Sequence, residues 1–116
     1  MAECSAGGCE ASCKDGCGCI AISGSDERKD CECWCFSGTT PPRVAVLKGA
    51  DGPPRKVDVN FRGVPVTGAA VALSRALRLR LAVPTSLLKK RLNVRLKNVP
   101  IRSVIKRLGL VEIRRG

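Results

Sequence analysis

The sequence predicts an α+β fold in which a small layered domain, with the element order β-α-β-β-α-β, follows an irregular cysteine-rich head. All eight cysteines lie among the first 35 of the 116 residues. Two alternating apolar stretches, 35 residues apart, each run through a Val-Pro pair into a segment with helical spacing. The net charge also changes sign along the chain. These observations divide it into a cysteine-rich head (residues 1–38), a Pro/Gly linker (39–56) and a layered domain (57–116).

The charge is unevenly distributed. Residues 1–42 contain three basic and seven acidic side chains, a net charge of −4, whereas residues 43–116 contain 18 basic and three acidic ones, a net charge of +15. A surface this basic attracts nucleic acid, anionic lipid or an acidic protein, and it also attracts the acidic head of the same chain. No apolar run approaches the roughly 18 residues that span a bilayer. The absence of a visible secretory signal favours the cytoplasm, and a signal that had been removed would indicate the periplasm instead.

The head is expected to be stabilised by its sulfur atoms, because it contains few apolar residues other than alanine and cysteine. Eight thiolates would satisfy about two tetrahedral zinc ions, or more if sulfurs bridge; alternatively, the cysteines form four disulfides. The Cys-x-Cys steps favour metal, because a disulfide within such a step closes a small, strained ring. A reducing compartment also favours metal. The predicted zinc ligands are Cys4, Cys9, Cys13, Cys17, Cys19, Cys31, Cys33 and Cys35.

The end of the head predicts an extended strand with Cys31, Cys33 and Cys35 on one face. Trp34 and Phe36 fall on the other face, where they form the small apolar core of the head or dock it on the layered domain. The proline pairs and glycines that follow predict a linker with turns. Within this linker, residues 44–48 are expected to form a short strand that pairs with the next one as a hairpin.

The layered domain is predicted from changes in apolar spacing. Val57, Val59 and Phe61 alternate with polar residues, as in a strand with one buried face, and Thr67 is the expected N-cap of the following helix. The second half repeats this pattern of strand, Val-Pro turn and amphipathic helix. The expected elements are strands at residues 57–62, 79–83, 92–97 and 110–113 and helices at 66–78 and 101–108.

Residues 57–111 resemble the short N-terminal domain shared by secretins and TonB-dependent transducers, also called the secretin N0 or STN domain. The matching pieces are VDVNFRGVPV, the helix that contains Ala69, Ala70, Leu73 and Leu77, then LRLAVP and LNVRLKNVPI. The resemblance implies a compact domain that binds other proteins. In secretins such domains lie at the entry of the ring, and in transducers they contact an inner-membrane signalling partner. Arg78 stands where the family usually has glycine, and the head is not part of the family pattern.

An enzyme is not predicted, because the chain has no histidine and therefore no Ser-His or Cys-His pair. Asp58 and Glu112, the only carboxylates in residues 57–116, are expected to be ordinary strand residues. The predicted function is a non-catalytic protein–protein interaction module with a zinc-thiolate head, which would act as a metal- or redox-responsive part of a secretion or signalling assembly. The alternatives are a nucleic-acid-binding protein with a structural zinc head and an exported, disulfide-rich interaction domain.

The predicted partner is an acidic protein or the chain's own head, and scarce aromatic residues disfavour nucleic acid. A homo-oligomer would pair through edge strands at residues 44–48 or 110–113. The side chains expected to bind the partner are Arg78, Arg80, Lys89, Lys90, Arg91, Arg95, Lys97, Arg102, Lys106 and Arg107.

Overall fold

The computed structural model describes residues 1–24, 30–36, 43–47 and 56–113. The strands are β1 (Ala2–Ala6), β2 (Cys9–Cys13), β3 (Cys17–Ile22), β4 (Cys31–Cys35), β5 (Lys56–Pro65), β6 (Leu81–Ala82), β7 (Arg91–Pro100) and β8 (Val111–Glu112), and the helices are α1 (Val66–Leu77) and α2 (Ile101–Arg107). A 3₁₀ turn, Thr85–Leu87, precedes β7. The order from β5 to β8 is β-α-β-β-α-β, so the predicted α+β class is confirmed. Neither helix in the described part is long and apolar enough to cross a membrane.

One antiparallel sheet joins the head to the basic half of the chain. Its strand order is β4-β3-β5-β7, and Ile20 of β3 lies opposite Val59 of β5. The head is therefore built from strands, where an irregular segment was expected. The sheet also runs across the predicted domain boundary, because the alternating residues of β3 continue the apolar face of β5.

Three layers result from this arrangement. On one face of the sheet, Ile20 and Ile22 join an apolar core with β5, α1 and α2. On the other face, Cys17, Cys19 and Ala21 pack against the β1–β2 hairpin. Every residue of β3 is buried, because both of its faces are covered. The short sheet of β6 and β8 is a separate antiparallel pair.

The two aromatic residues of the head pack into the core shared with the basic half. Trp34 lies over Gly18, where an added Cβ would come within 2.5 Å of the indole ring. Its ring also meets Phe61 of β5 edge-on, with 5.9 Å between centroids. Phe36 lies against α1, so that a Cβ on Gly68 would come within 1.7 Å of the phenyl ring. These residues therefore connect β4 to the helices, as one of the two sequence interpretations expected.

The internal repeat seen in the sequence is also a repeat of backbone conformation. Gly63 and Asn98, 35 residues apart, both have a positive φ, of 64° and 58°. Each is followed by Val-Pro, and the prolines take nearly the same conformation at the helix N-caps: φ −58°, ψ 140° at Pro65 and φ −57°, ψ 144° at Pro100. Pro65 thus occupies the N-cap position expected for Thr67.

Side chains at equivalent positions stabilise these two turns reciprocally. The backbone N–H of Asn98 donates to Asp58 Oδ1 at 2.7 Å, and that of Gly63 donates to Asn93 Oδ1 at 2.9 Å. Asp58 and Asn93 are themselves 35 residues apart. Because β5 and β7 are antiparallel neighbours, each repeat supplies the acceptor for the turn of the other. Register shifts in the ladder accompany both turns, which is typical of β-bulges.

Several element boundaries differ from the prediction. Residues 43–47 form no regular structure, so the strand expected at 44–48 is wrong over this part, and Lys48 lies outside the described residues. Leu47 is instead buried, and its N–H donates to Ala76 O of α1 at 3.0 Å. The strands expected at 79–83 and 110–113 shorten to two residues each. Arg78 ends α1 in the left-handed conformation, φ 53°, which glycine adopts at less steric cost than other residues.

Candidate functional site

The eight cysteines form four disulfides, so the predicted resident zinc ligands are all paired with one another. The pairs are Cys4–Cys17, Cys9–Cys31, Cys13–Cys35 and Cys19–Cys33. Three of them join the β1–β2 hairpin to the sheet, and the fourth crosslinks directly opposed residues of β3 and β4. The described cysteines include no free thiol. The structure thus favours the disulfide alternative over the zinc prediction.

The local part of the cysteine prediction is confirmed. Cys31, Cys33 and Cys35 bond toward the hairpin or across β3, whereas Trp34 joins the apolar core on the opposite face. No disulfide forms within a Cys-x-Cys step, as expected from the strain of such a ring. The pairing itself was not predictable, because it depends on which strands the fold brings together.

Three sulfurs nevertheless form a buried cluster under the hairpin. The Sγ atoms of Cys4, Cys17 and Cys19 all lie within 4.8 Å of one another. Cys4 Sγ and Cys19 Sγ, which belong to different disulfides, are 3.0 Å apart. If both disulfides were reduced, three thiolates would lie close enough together to share one metal ion.

A polar cleft opens beside the hairpin because the hairpin covers only part of the sheet. Strand β2 packs on β4 and β3, and β1 packs on β3 and β5, which leaves the face of β7 open. The cleft has a volume of about 610 Å³. One wall carries Glu3 and Glu10 of the hairpin, and the other carries Arg62 of β5 and Arg95 of β7. Its two walls therefore have opposite charge.

Asn60 connects the two walls at the base of the cleft. It is a buried polar residue, 8% exposed, on the hairpin-facing side of β5. Its Nδ2 donates to the backbone oxygen of Ser5 at 3.1 Å. A smaller cleft of about 150 Å³ continues along β1 past Lys97. Two of its residues, Arg95 and Lys97, are among the predicted partner-binding side chains. The cleft itself was missed; the signal for it was the polar face of VDVNFR, which carries Asn60 and Arg62.

The predicted basic residues are all exposed, but they do not share one face. Arg95 and Lys97 lie on the hairpin side of the sheet, in the clefts. Arg102, Lys106 and Arg107 belong to α2, which packs on the opposite side through buried apolar residues. The remaining predicted residues are exposed near the ends of α1 and β7, namely Arg78, Arg80, Lys89, Lys90 and Arg91. The basic charge therefore surrounds the fold.

Comparisons with models of protein families, with curated proteins and with solved structures each found no match. The resemblance to the secretin N0 domain therefore rests on the residues quoted for it.

Proposed function

We propose that this chain is a disulfide-stabilised, non-catalytic interaction module that binds an acidic protein partner. The observation that carries the proposal is the charged cleft beside a hairpin fixed by three disulfides. A rigid scaffold lowers the entropy lost on binding, because its contact groups are already in place. The resemblance of residues 57–111 to a protein-binding domain supports the same class of function.

An acidic protein is a better partner than nucleic acid because the chain offers no aromatic surface. Its three aromatic residues are Trp34, Phe36 and Phe61, which are 6%, 8% and 0% exposed. Proteins that bind single strands usually stack bases on exposed aromatic rings. Here all of these rings belong to the core, so contact with nucleic acid would lack base stacking and depend mainly on phosphates.

The proposal also concerns the compartment. Four disulfides persist in oxidising environments such as the periplasm, whereas cytosolic reductants keep thiols reduced. We therefore favour an exported module over the cytoplasmic expectation. Intact mass with and without reductant tests this step: the native protein should gain about two mass units for each reduced bridge. Purification with eight free thiols would contradict it.

A binding titration tests the partner class. Fluorescent polyglutamate and a single-stranded DNA of equal charge should be titrated with the oxidised protein at several salt concentrations. We expect polyglutamate to bind at least as tightly as the DNA, because both probes form the same ionic pairs with guanidinium groups and the buried aromatic rings give the DNA no stacking contact in addition. Much tighter binding of the DNA, with a steep salt dependence, would support the nucleic-acid alternative. Absence of binding to either probe at low salt would refute the proposal.

Metal binding by the reduced protein is a second candidate, supported by the cluster of Cys4, Cys17 and Cys19. Reduction would free these thiols together with Cys33, the disulfide partner of Cys19. Cobalt(II), added after reduction, should then give the absorption of a tetrahedral thiolate complex, and zinc should abolish it. Variants Cys4→Ser and Cys9→Ser distinguish the cluster from a peripheral cysteine. An equal loss of absorption in both would contradict a site at the cluster.

A further inference from the structure

We propose that the cleft beside the β1–β2 hairpin binds an extended peptide segment that presents acidic side chains to the sheet and pairs with β1. This proposal rests on the proposed function and gives its partner a site and a conformation. Three features support it: the edge of β1 that does not pair with β2, the charges of the two walls, and the disulfides that fix the hairpin on the sheet.

Strand β1 has an edge available for pairing. Among the described strands it pairs only with β2, through a two-residue turn of Gly7 and Gly8 that joins Ala6 to Cys9. Hydrogen-bonded and non-hydrogen-bonded pairs alternate along such a hairpin, and the pair that closes a two-residue turn is bonded. Ser5 therefore directs its backbone N–H and C=O away from β2.

The contacts of Ser5 agree with this direction. Its carbonyl oxygen accepts the hydrogen bond from Asn60 Nδ2, on the side of β1 that faces β5. Glu3, two residues earlier, directs its backbone groups to the same side, since directions alternate along a strand. A segment of about five residues could pair along β1, at the usual spacing of about 4.8 Å between strands. Such a segment would lie above β5 and β7, in the open part of the cleft.

The charges of the walls match the alternating side chains of an extended chain. Arg62, Arg95 and Lys97 project from the sheet wall and are exposed. Asp58 also lies on this wall, but its Oδ1 accepts bonds from Ser23 and from the backbone of Asn98. Successive side chains of an extended peptide point in opposite directions, so acidic ones can face the sheet. The intervening side chains then lie near Glu3 and Glu10, which favours basic residues there.

The disulfides keep the cleft open despite the opposite charges of its walls. Cys4–Cys17 anchors β1 to the sheet, and Cys9–Cys31 and Cys13–Cys35 anchor β2. These three bonds limit how far the hairpin can move toward β7. The wall charges therefore remain available to a ligand.

Fluorescence anisotropy with designed peptides tests the proposal. An eight-residue peptide of alternating glutamate and lysine should bind the oxidised protein at least tenfold more tightly than a peptide of equal composition arranged in Glu-Glu-Lys-Lys blocks. Both peptides have no net charge, so long-range attraction cannot explain a difference. N-methylation of the alternate amides that face β1 should weaken binding at least tenfold, and methylation of the other set should not. Equal binding of the two sequences would overturn the proposal.

Matched protein variants locate the site. Arg95→Glu, and independently Arg62→Glu, should weaken binding of the alternating peptide at least tenfold. Arg102→Glu makes the same charge change on α2, on the other side of the sheet, and should alter it less than twofold. Equal effects of Arg95→Glu and Arg102→Glu would also contradict binding of the peptide in the cleft. If polyglutamate binds but the alternating peptide does not, peptide binding in the cleft is refuted and the proposed function is not. If neither binds, the proposed function is refuted as well.

Discussion

Where the β1–β2 hairpin covers it, the central sheet is buried on both faces, but the two faces are stabilised by different chemistry. On the helix side, Val57, Val59 and Phe61 are at most 1% exposed and belong to a broad apolar core. On the hairpin side, Cys17 and Cys19 are fully buried, but their neighbours are sulfur atoms and alanines. Hydrophobic burial stabilises the first face, and crosslinks that restrict the unfolded chain stabilise the second. A layer of two five-residue strands can thus cover part of a sheet with a core of only disulfides and alanines.

The largest expected effect comes from truncation on the helix side. Phe61→Ala removes a fully buried ring that also meets Trp34 edge-on, at 5.9 Å between centroids. We expect a loss of about 3–5 kcal/mol in the free energy of unfolding, measured by denaturant titration. Leu88→Ala, at a residue 48% exposed, is the control and should change stability by less than about 0.5 kcal/mol. Similar losses in the two variants would contradict a core on this face.

Removal of a crosslink should loosen the other face. The double variant Cys13→Ala/Cys35→Ala opens a link between residues separated by 22 positions and leaves no free thiol. We expect a loss of about 3 kcal/mol, since the unfolded chain regains the entropy of that loop. Hydrogen exchange should accelerate in β2 before it does in β5 and β7. Unchanged stability, or acceleration spread evenly over all strands, would refute a separately stabilised hairpin layer.

Sequence reasoning predicted local features of both faces but not how they join. The alternation in β5 and β7 is a local signal, and so is the common face of Cys31, Cys33 and Cys35; both were predicted correctly. The pairing of β3 with β5 was missed because Ile20 and Ile22 are too few to indicate a buried strand. Composition then suggested separate domains, although strand pairing is decided by contacts distant in sequence. The cleft was missed for the same reason, since its walls come from β1, β2, β5 and β7.

A smaller effect is expected where the aromatic residues meet the sheet. Gly18→Ala places a methyl group within 2.5 Å of the Trp34 ring, which must shift within the core. We expect a loss of about 1–3 kcal/mol, as is typical of overpacking. Gly8→Ala, in the hairpin turn, meets no atom within 4 Å and should be neutral or slightly stabilising. Thermal unfolding of both variants checks this. A larger loss of stability for Gly8→Ala than for Gly18→Ala would contradict close packing of Trp34 on Gly18.

The smallest effect should come from the hydrogen bond that connects the hairpin layer to β5. Asn60→Ala removes the donor to Ser5 O and leaves that carbonyl to water or to a peptide bound in the cleft. We expect a loss of about 1 kcal/mol, because a single neutral hydrogen bond contributes about that much to stability. Ser12→Ala, at an exposed residue on the same cleft, is the matched control and should change stability by less than about 0.5 kcal/mol. If the disulfides and this hydrogen bond stabilise the contact between the layers independently, Asn60→Ala should lower the free energy of unfolding by the same amount in the Cys13→Ala/Cys35→Ala variant as in the native protein. A larger loss in the Cys13→Ala/Cys35→Ala variant would mean that the hydrogen bond and the crosslink together hold β1 beside the cleft.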